Sequence, residues 1–212
     1  VCALLAANGW SATRYHAGLT DEERRNNQDD FLYDRCNVMV ATNAFGMGID
    51  KSNVGFVVHY IMPKNLESYY QEAGRAGRDG SKADCILLYS GQDVHTNSFL
   101  IERSGAGAEL TQEQAEAVKE KMREGLRRMT FYCTTTDCLR GYMLKYFGEP
   151  AEDYCGNCSN CTSGFATVDV TDTARGILAC VSETRQRYGK KMIVDVLRGS
   201  EQARVKQLRL DR

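Results

Sequence analysis

The residues best suited to holding phosphate are two arginines three positions apart among glycines, in Ser68-Tyr69-Tyr70-Gln71-Glu72-Ala73-Gly74-Arg75-Ala76-Gly77-Arg78-Asp79-Gly80. A guanidinium is planar, permanently charged and forked, which matches phosphate oxygens, and glycine lets the backbone approach them closely. The same run also reads as an Arg-Gly turn closing an exposed helix, so its surroundings must decide.

A second constellation is Cys155-x2-Cys158-x2-Cys161, with Cys138 sixteen intervening residues upstream. Four sulfurs at about 2.3 Å from a metal make a closed tetrahedral zinc site, and two-residue spacers let one loop supply three of them. Gly156-Asn157 and Ser159-Asn160 suit the turns this requires. Such a run also opens iron–sulfur sites, but the ferredoxin continuation to a fourth Cys followed by Pro is replaced here by Thr162-Ser163-Gly164. Cys133 is a rival fourth ligand. Cys138 is expected in the first turn of a helix, where the dipole favours a thiolate, and Cys133 reads as a small buried side chain. A zinc site without a spare ligand position is structural.

The elements that must position these groups follow from pattern. The first 90 residues alternate β-branched runs with polar helical stretches, as a parallel α/β unit does. Expected strands are Thr13-Arg14-Tyr15, Val38–Thr42, Phe56–Tyr60 and Cys85–Tyr89, and their near-continuous apolar character predicts a sheet covered on both faces. Thr20 with Glu23 makes a capping box for the first helix, and Asn65 caps a second over about Leu66–Ala73. Residues 104–110, rich in Gly and Ala, read as a hinge or loop. Thr111 with Gln114 caps a long helix to about Tyr132, whose stripe Ala115, Val118, Met122, Leu126, Met129 reads as core packing. Asp137 is expected to cap the next helix, which carries Cys138 and ends at Gly148. After Val168 come helices near Thr171–Glu183 and Lys191–Leu197, the opening of a small helical domain.

With 212 residues, 42% of them hydrophobic, the chain can bury a sizeable core, and without a long apolar run it reads as soluble. It opens on Val1 rather than Met, which reads as an excised or processed piece. Nine cysteines, four of them clustered, suit a reducing intracellular compartment and one metal cluster better than a disulfide framework. Net charge is −1, but residues 171–212 carry ten basic against five acidic side chains, where a phosphate backbone would be welcome.

Val40-Ala41-Thr42-Asn43-Ala44-Phe45-Gly46-Met47-Gly48-Ile49-Asp50-Lys51, a strand running into a glycine turn, lies upstream of the arginines, and Tyr15-His16-Ala17-Gly18-Leu19 lies upstream of that. With the Gln71…Arg75…Arg78 run, these segments resemble three successive motifs in the second motor domain of superfamily 2 helicases. The cysteine pattern narrows the resemblance to the RecQ family of DNA helicases, over nearly the whole chain.

The resemblance implies a second RecA-like lobe over 1–103, incomplete at its N-terminus, a zinc-binding helical subdomain over 104–165, and a truncated winged-helix domain over 166–212. It implies an ATP-dependent enzyme that unwinds DNA 3′ to 5′ in recombination and repair, in the bacterial nucleoid or the nucleus, using Mg²⁺-ATP bound between two lobes. Arg78 matches the arginine finger, Arg75 its partner, and Gln71 and Asp50 nucleotide contacts, Asp50 toward ribose, although Asp50 also reads as the cap of a turn. Thr42 and His16 face DNA, although each also reads as a strand-end or turn residue. Arg187, Lys190 and Lys191 suit DNA phosphates or a solvated helix face equally. His59 reads as a satisfied core imidazole. Gly55 stands where the family often has Arg. A phosphate loop Gly-x-x-x-x-Gly-Lys-Ser/Thr is not among these residues, so this stretch alone is expected to be inactive and its two arginines exposed. The competing reading is a zinc-stabilised nucleic-acid-binding module without a motor, and a third is a purely structural interaction domain.

Overall fold

The computed structural model describes residues 1–42, 51–104, 111–166 and 168–210. The chain forms two compact units, Val1–Cys158 and Ser159–Arg212.

The first unit opens with α1 (Cys2–Ala7), β1 (Ala12–Tyr15), α2 (Asp21–Leu32) and β2 (Val38–Ala41). β1 and β2 pair in parallel, Ala12 opposite Val38 through Tyr15 opposite Ala41. The crossover helix α2 begins where the sequence predicts, because the Thr20 hydroxyl accepts from the Glu23 amide at 3.2 Å while Glu23 accepts from the Thr20 amide at 2.9 Å. β3 (Phe56–His59), α3 (Leu66–Ala73) and β4 (Asp84–Leu87) repeat the arrangement, with Phe56 opposite Asp84 through His59 opposite Leu87. Asn65 caps α3 by accepting from the Ser68 amide at 2.9 Å.

The parallel pairing is as expected, but the cover on both faces is not. Phe56, Val58 and Ile86 are each 46% exposed, so the apolar runs record β propensity and partial burial rather than a doubly covered sheet.

The core of this unit is built mainly from its helices. Helices α4 (Gly91–Arg103), α5 (Gln112–Thr134) and α6 (Leu139–Tyr146) join α3 around Met62, Leu66, Tyr69, Ile101, Leu126, Met129, Tyr132 and Met143. Met129 and Leu66 are fully buried. Burying a side chain of this size contributes about 1.5–3 kcal/mol, so this cluster is what holds the long helix against α3. The α5 stripe packs only in its second half: Leu126 and Met129 are buried, whereas Val118 and Met122 are exposed at 40% and 44%. Its Thr111–Gln114 capping box is formed.

The second unit holds α7 (Ser159–Thr162), α8 (Thr171–Glu183), α9 (Lys190–Leu197) and α10 (Ala203–Gln207). Among the described residues, Cys180, Ile193 and Val205, one from each of the last three helices, are its buried side chains. The third of these helices is one the sequence reading did not anticipate. Among the described residues no helix is long and apolar enough to cross a membrane.

Candidate nucleotide-facing loop and metal centre

Helix α3 delivers the arginine run. It ends at Gly74, and the chain turns through Gly77 at φ +67° and Gly80 at φ +83°, conformations that favour glycine. A Cβ at Gly77 would lie 2.8 Å from the Ser81 carbonyl oxygen, so no larger residue fits without displacement. The loop is docked through its backbone: the Gly77 amide donates to the Val54 carbonyl at 3.0 Å and the Asp79 amide to that of Ser52 at 3.3 Å. Gln71 and Arg78 are exposed, and Arg75 is half-buried. Arg78 Nε donates to the Gly74 carbonyl at 3.4 Å, a long bond that an exposed guanidinium readily exchanges for a better acceptor.

His59 is buried on β3 and its Nε2 lies 2.9 Å from Glu72 Oε2 on the last turn of α3. Its Nδ1 is buried with no hydrogen-bond partner among the described residues, so the imidazole is only half satisfied. Thr42 is exposed and its amide donates to the Tyr15 carbonyl at 3.1 Å. His16 is half-buried, with Nδ1 accepting from the Gly18 amide at 3.2 Å, the geometry of a turn residue. Asp50 and the glycine turn before it lie outside the described residues.

The second constellation assembles. The sulfurs of Cys138, Cys155, Cys158 and Cys161 lie within 4.8 Å of one another, Cys138 buried and the other three half-buried. A zinc ion with bonds of about 2.3 Å would set tetrahedral sulfurs about 3.8 Å apart, so the set fits with a small contraction. Two sulfurs already accept main-chain hydrogen bonds at 3.3 Å, Cys138 from the Gly141 amide and Cys155 from the Cys158 amide. Amides from Cys158 and Asn157 hold the Cys155 thiol below its ordinary pKa, which favours the thiolate a metal requires. The turn at Gly156 has φ +64°.

Two details differ from the sequence reading. Cys138, not Asp137, occupies the N-cap of α6, because its sulfur is the acceptor that reaches the third residue of the helix. Cys133 stays outside the four-sulfur group, and burial pushes its thiol up to about 12, so it remains protonated.

Gly141 lets this cap close. A Cβ there would lie 2.6 Å from the Glu152 carbonyl oxygen and 3.5 Å from Cys138 Sγ. In a helix Gly→Ala gains about 1 kcal/mol of propensity, but overpacking of this kind costs about 1–3 kcal/mol, and the contact is with backbone that cannot swing aside. Gly141→Ala is therefore expected to lower the melting temperature and weaken metal retention. An equal or higher melting temperature would contradict the close packing.

In the second unit Arg187, Lys190 and Lys191 are exposed. Arg185 and Gln186 stand at φ +53° and +58°, uncommon for such side chains, and turn the chain so that both lysines fall in the first turn of α9. Lysines at a helix N-terminus oppose the macrodipole, so their placement disfavours the helix locally and suits an anionic partner.

Comparison with known proteins matches three domain models in succession. Residues 2–80 match the helicase conserved C-terminal domain, residues 91–162 the RecQ zinc-binding domain, and residues 164–212 the RQC domain. The ATP-dependent DNA helicase RecQ of Bacillus subtilis is 49% identical over 201 residues, covering 95% of this chain and 32% of that protein. The enzyme of the same name from Pasteurella multocida is 38% identical, covering 95% of this chain and 30% of that protein. This chain thus spans about a third of the length of these relatives. Among solved structures, a DEAD box protein from Methanococcus jannaschii matches over 49% of this chain and 28% of its own at 28% identity and a TM-score of 0.40. The helicase C-terminal, RecQ zinc-binding and RQC matches follow one another in order, and with a four-cysteine cluster that fits the metal of the second they make the chain similar along nearly its whole length to this region of RecQ-family proteins.

Proposed function

We propose that this chain is the second motor lobe, zinc module and winged-helix opening of an ATP-dependent DNA helicase that unwinds duplexes 3′ to 5′ in recombination and repair. The observation that carries the reading is the backbone-docked loop presenting Arg75 and Arg78 in the same unit as the thiol-capped helix α6. On this reading Arg78 reaches the terminal phosphates of Mg²⁺-ATP held on another lobe, Arg75 supports it, and Gln71 and Asp50 contact the nucleotide. A cation supplied there stabilises the charge that develops during phosphoryl transfer. Cys138, Cys155, Cys158 and Cys161 hold a structural zinc, which when bound fixes the start of α6 against the 155–161 loop. The motor lobe extends to about residue 103, the zinc module to about 165, and the winged helix follows. Such thiolates suit a reducing intracellular compartment.

The DNA contacts are Thr42 and His16 at strand ends, with Arg187, Lys190 and Lys191 in the second unit. If Lys190 and Lys191 meet phosphates, replacing both by Ala should reduce the slope of log K against log salt by about 0.9 per contact on duplex DNA. An unchanged slope would remove them from the interface.

The exposed basic turn of α9 also suits a zinc-stabilised nucleic-acid-binding module with no motor. ATP turnover separates the two readings. The polypeptide that joins this lobe to an ATP-binding lobe should hydrolyse ATP faster when single-stranded DNA is added. DNA binding without any ATP turnover would favour the module.

A further inference from the structure

Asp34 follows the C-terminal end of α2 at φ +56°, the left-handed region that aspartate tolerates better than most side chains. Its exposed carboxylate accepts from Lys51 Nζ at 2.7 Å, with the Asn53 side chain close enough to lower its pKa as well. Lys51 is buried, its side chain 7% exposed, and it reaches the Leu32 carbonyl at 3.4 Å and the Phe31 ring at 5.2 Å from the centroid. A buried ammonium is costly without an anion beside it, so Asp34 is what allows Lys51 to stay in place. The intervening and following residues, Ser52 and Val54, are the ones whose carbonyls accept from Asp79 and Gly77 of the arginine loop. One short segment therefore faces Asp34 with the side chains of 51 and 53 and the arginine loop with the carbonyls of 52 and 54.

We propose that Asp34, through Lys51 and Asn53, is a positioning residue for the arginine loop: it fixes residues 51–54, which hold Gly77 and Asp79 and so aim Arg75 and Arg78. The inference rests on the reading of these arginines as the groups that act on ATP. Asp34 touches no nucleotide itself. Its effect passes through two main-chain hydrogen bonds, and the loop they hold has little freedom to compensate, given the glycine conformation and close contact at Gly77.

The test begins with amide hydrogen exchange in this 212-residue chain. Asp34→Gly removes the carboxylate and, at a positive φ, substitutes a residue that adopts this backbone without strain, so any loosening comes from the lost carboxylate rather than from the backbone. Asp34→Asn keeps an acceptor oxygen and the same backbone tolerance. In Asp34→Gly the amides of Gly77 and Asp79 should exchange about tenfold faster or more, with those of β3 and β4 unchanged, and Asp34→Asn, which keeps an acceptor but supplies no anion to the buried Lys51, should restore only part of the protection. Unchanged exchange at Gly77 and Asp79, or equal acceleration throughout β3 and β4, would overturn the assignment. In the full-length protein the same variant should lower kcat for ATP by about tenfold or more while leaving KM within about twofold. Loosened amides with unaltered kcat would instead leave the anchor standing and refute the role of the arginines in ATP turnover.

Discussion

Cys138→Ser is expected to lose bound zinc, from about one equivalent per chain to a small fraction of that, and to lower the melting temperature sharply. Structural zinc contributes an apparent ~10–16 kcal/mol in small zinc-dependent folds, and a closed site that loses one of four ligands forfeits much of this. The substitution isolates the metal from the cap. Serine is among the best N-cap residues, so the hydrogen bond now made by Cys138 Sγ to the Gly141 amide at 3.3 Å has a replacement. Any loss must then come from coordination. Cys133→Ser supplies the control, because that thiol lies outside the sulfur cluster and should leave metal content unchanged. Metal analysis by plasma emission and thermal melting measure both variants. Full zinc retention by Cys138→Ser would overturn its place as a ligand.

The consequence for the first unit should be local. Met143 on α6 packs into the core with Met129 and Tyr132 of α5, and those apolar contacts do not depend on metal. Release of zinc should therefore unfold the 150–158 stretch and the start of α6 while the α3–α5 packing persists. A chelator applied to the unaltered chain should have the same effect as the substitution.

What could be read from sequence was local chemistry with a fixed spacing. The Thr20–Glu23 and Thr111–Gln114 boxes and the Asn65 cap are three-residue signals, and all three form. The sulfur cluster was legible because short spacers leave few other ways to arrange four cysteines. Other features were hidden by physics that no window of sequence contains. Helix α4 was not anticipated because its buried face includes Asn97, whose side chain donates to the Met62 carbonyl at 3.3 Å, and a polar residue on that face blurs the apolar period. Cys138 was assigned to the first turn rather than the cap because sulfur is outside the usual capping set. The α5 stripe was expected to be buried throughout, yet periodicity does not say how far a neighbouring helix extends. Lys51 and Asp34 meet across 17 positions, with only a charge on each side to suggest it.

The second large effect concerns Arg78. Its guanidinium is exposed, on a loop whose backbone is held in place, so removing the side chain should leave the fold intact and change only what the loop offers to a ligand. An arginine acting on the transferring phosphoryl group is worth roughly 10³–10⁵ in kcat where it has been isolated, and a ground-state contact of the same residue is worth far less. In the polypeptide that carries both lobes, Arg78→Ala is therefore expected to lower kcat by about 10²-fold or more with ATP affinity within about threefold. Arg78→Lys should recover little, because a point charge does not reproduce the planar fork. The most direct measurement is single-turnover hydrolysis of saturating ATP by Arg78→Ala on single-stranded DNA, together with its equilibrium affinity for ATP. Near-normal binding with turnover at least about 100-fold slower is the predicted result. Hydrolysis at the unaltered rate would contradict the assignment of this loop to the motor.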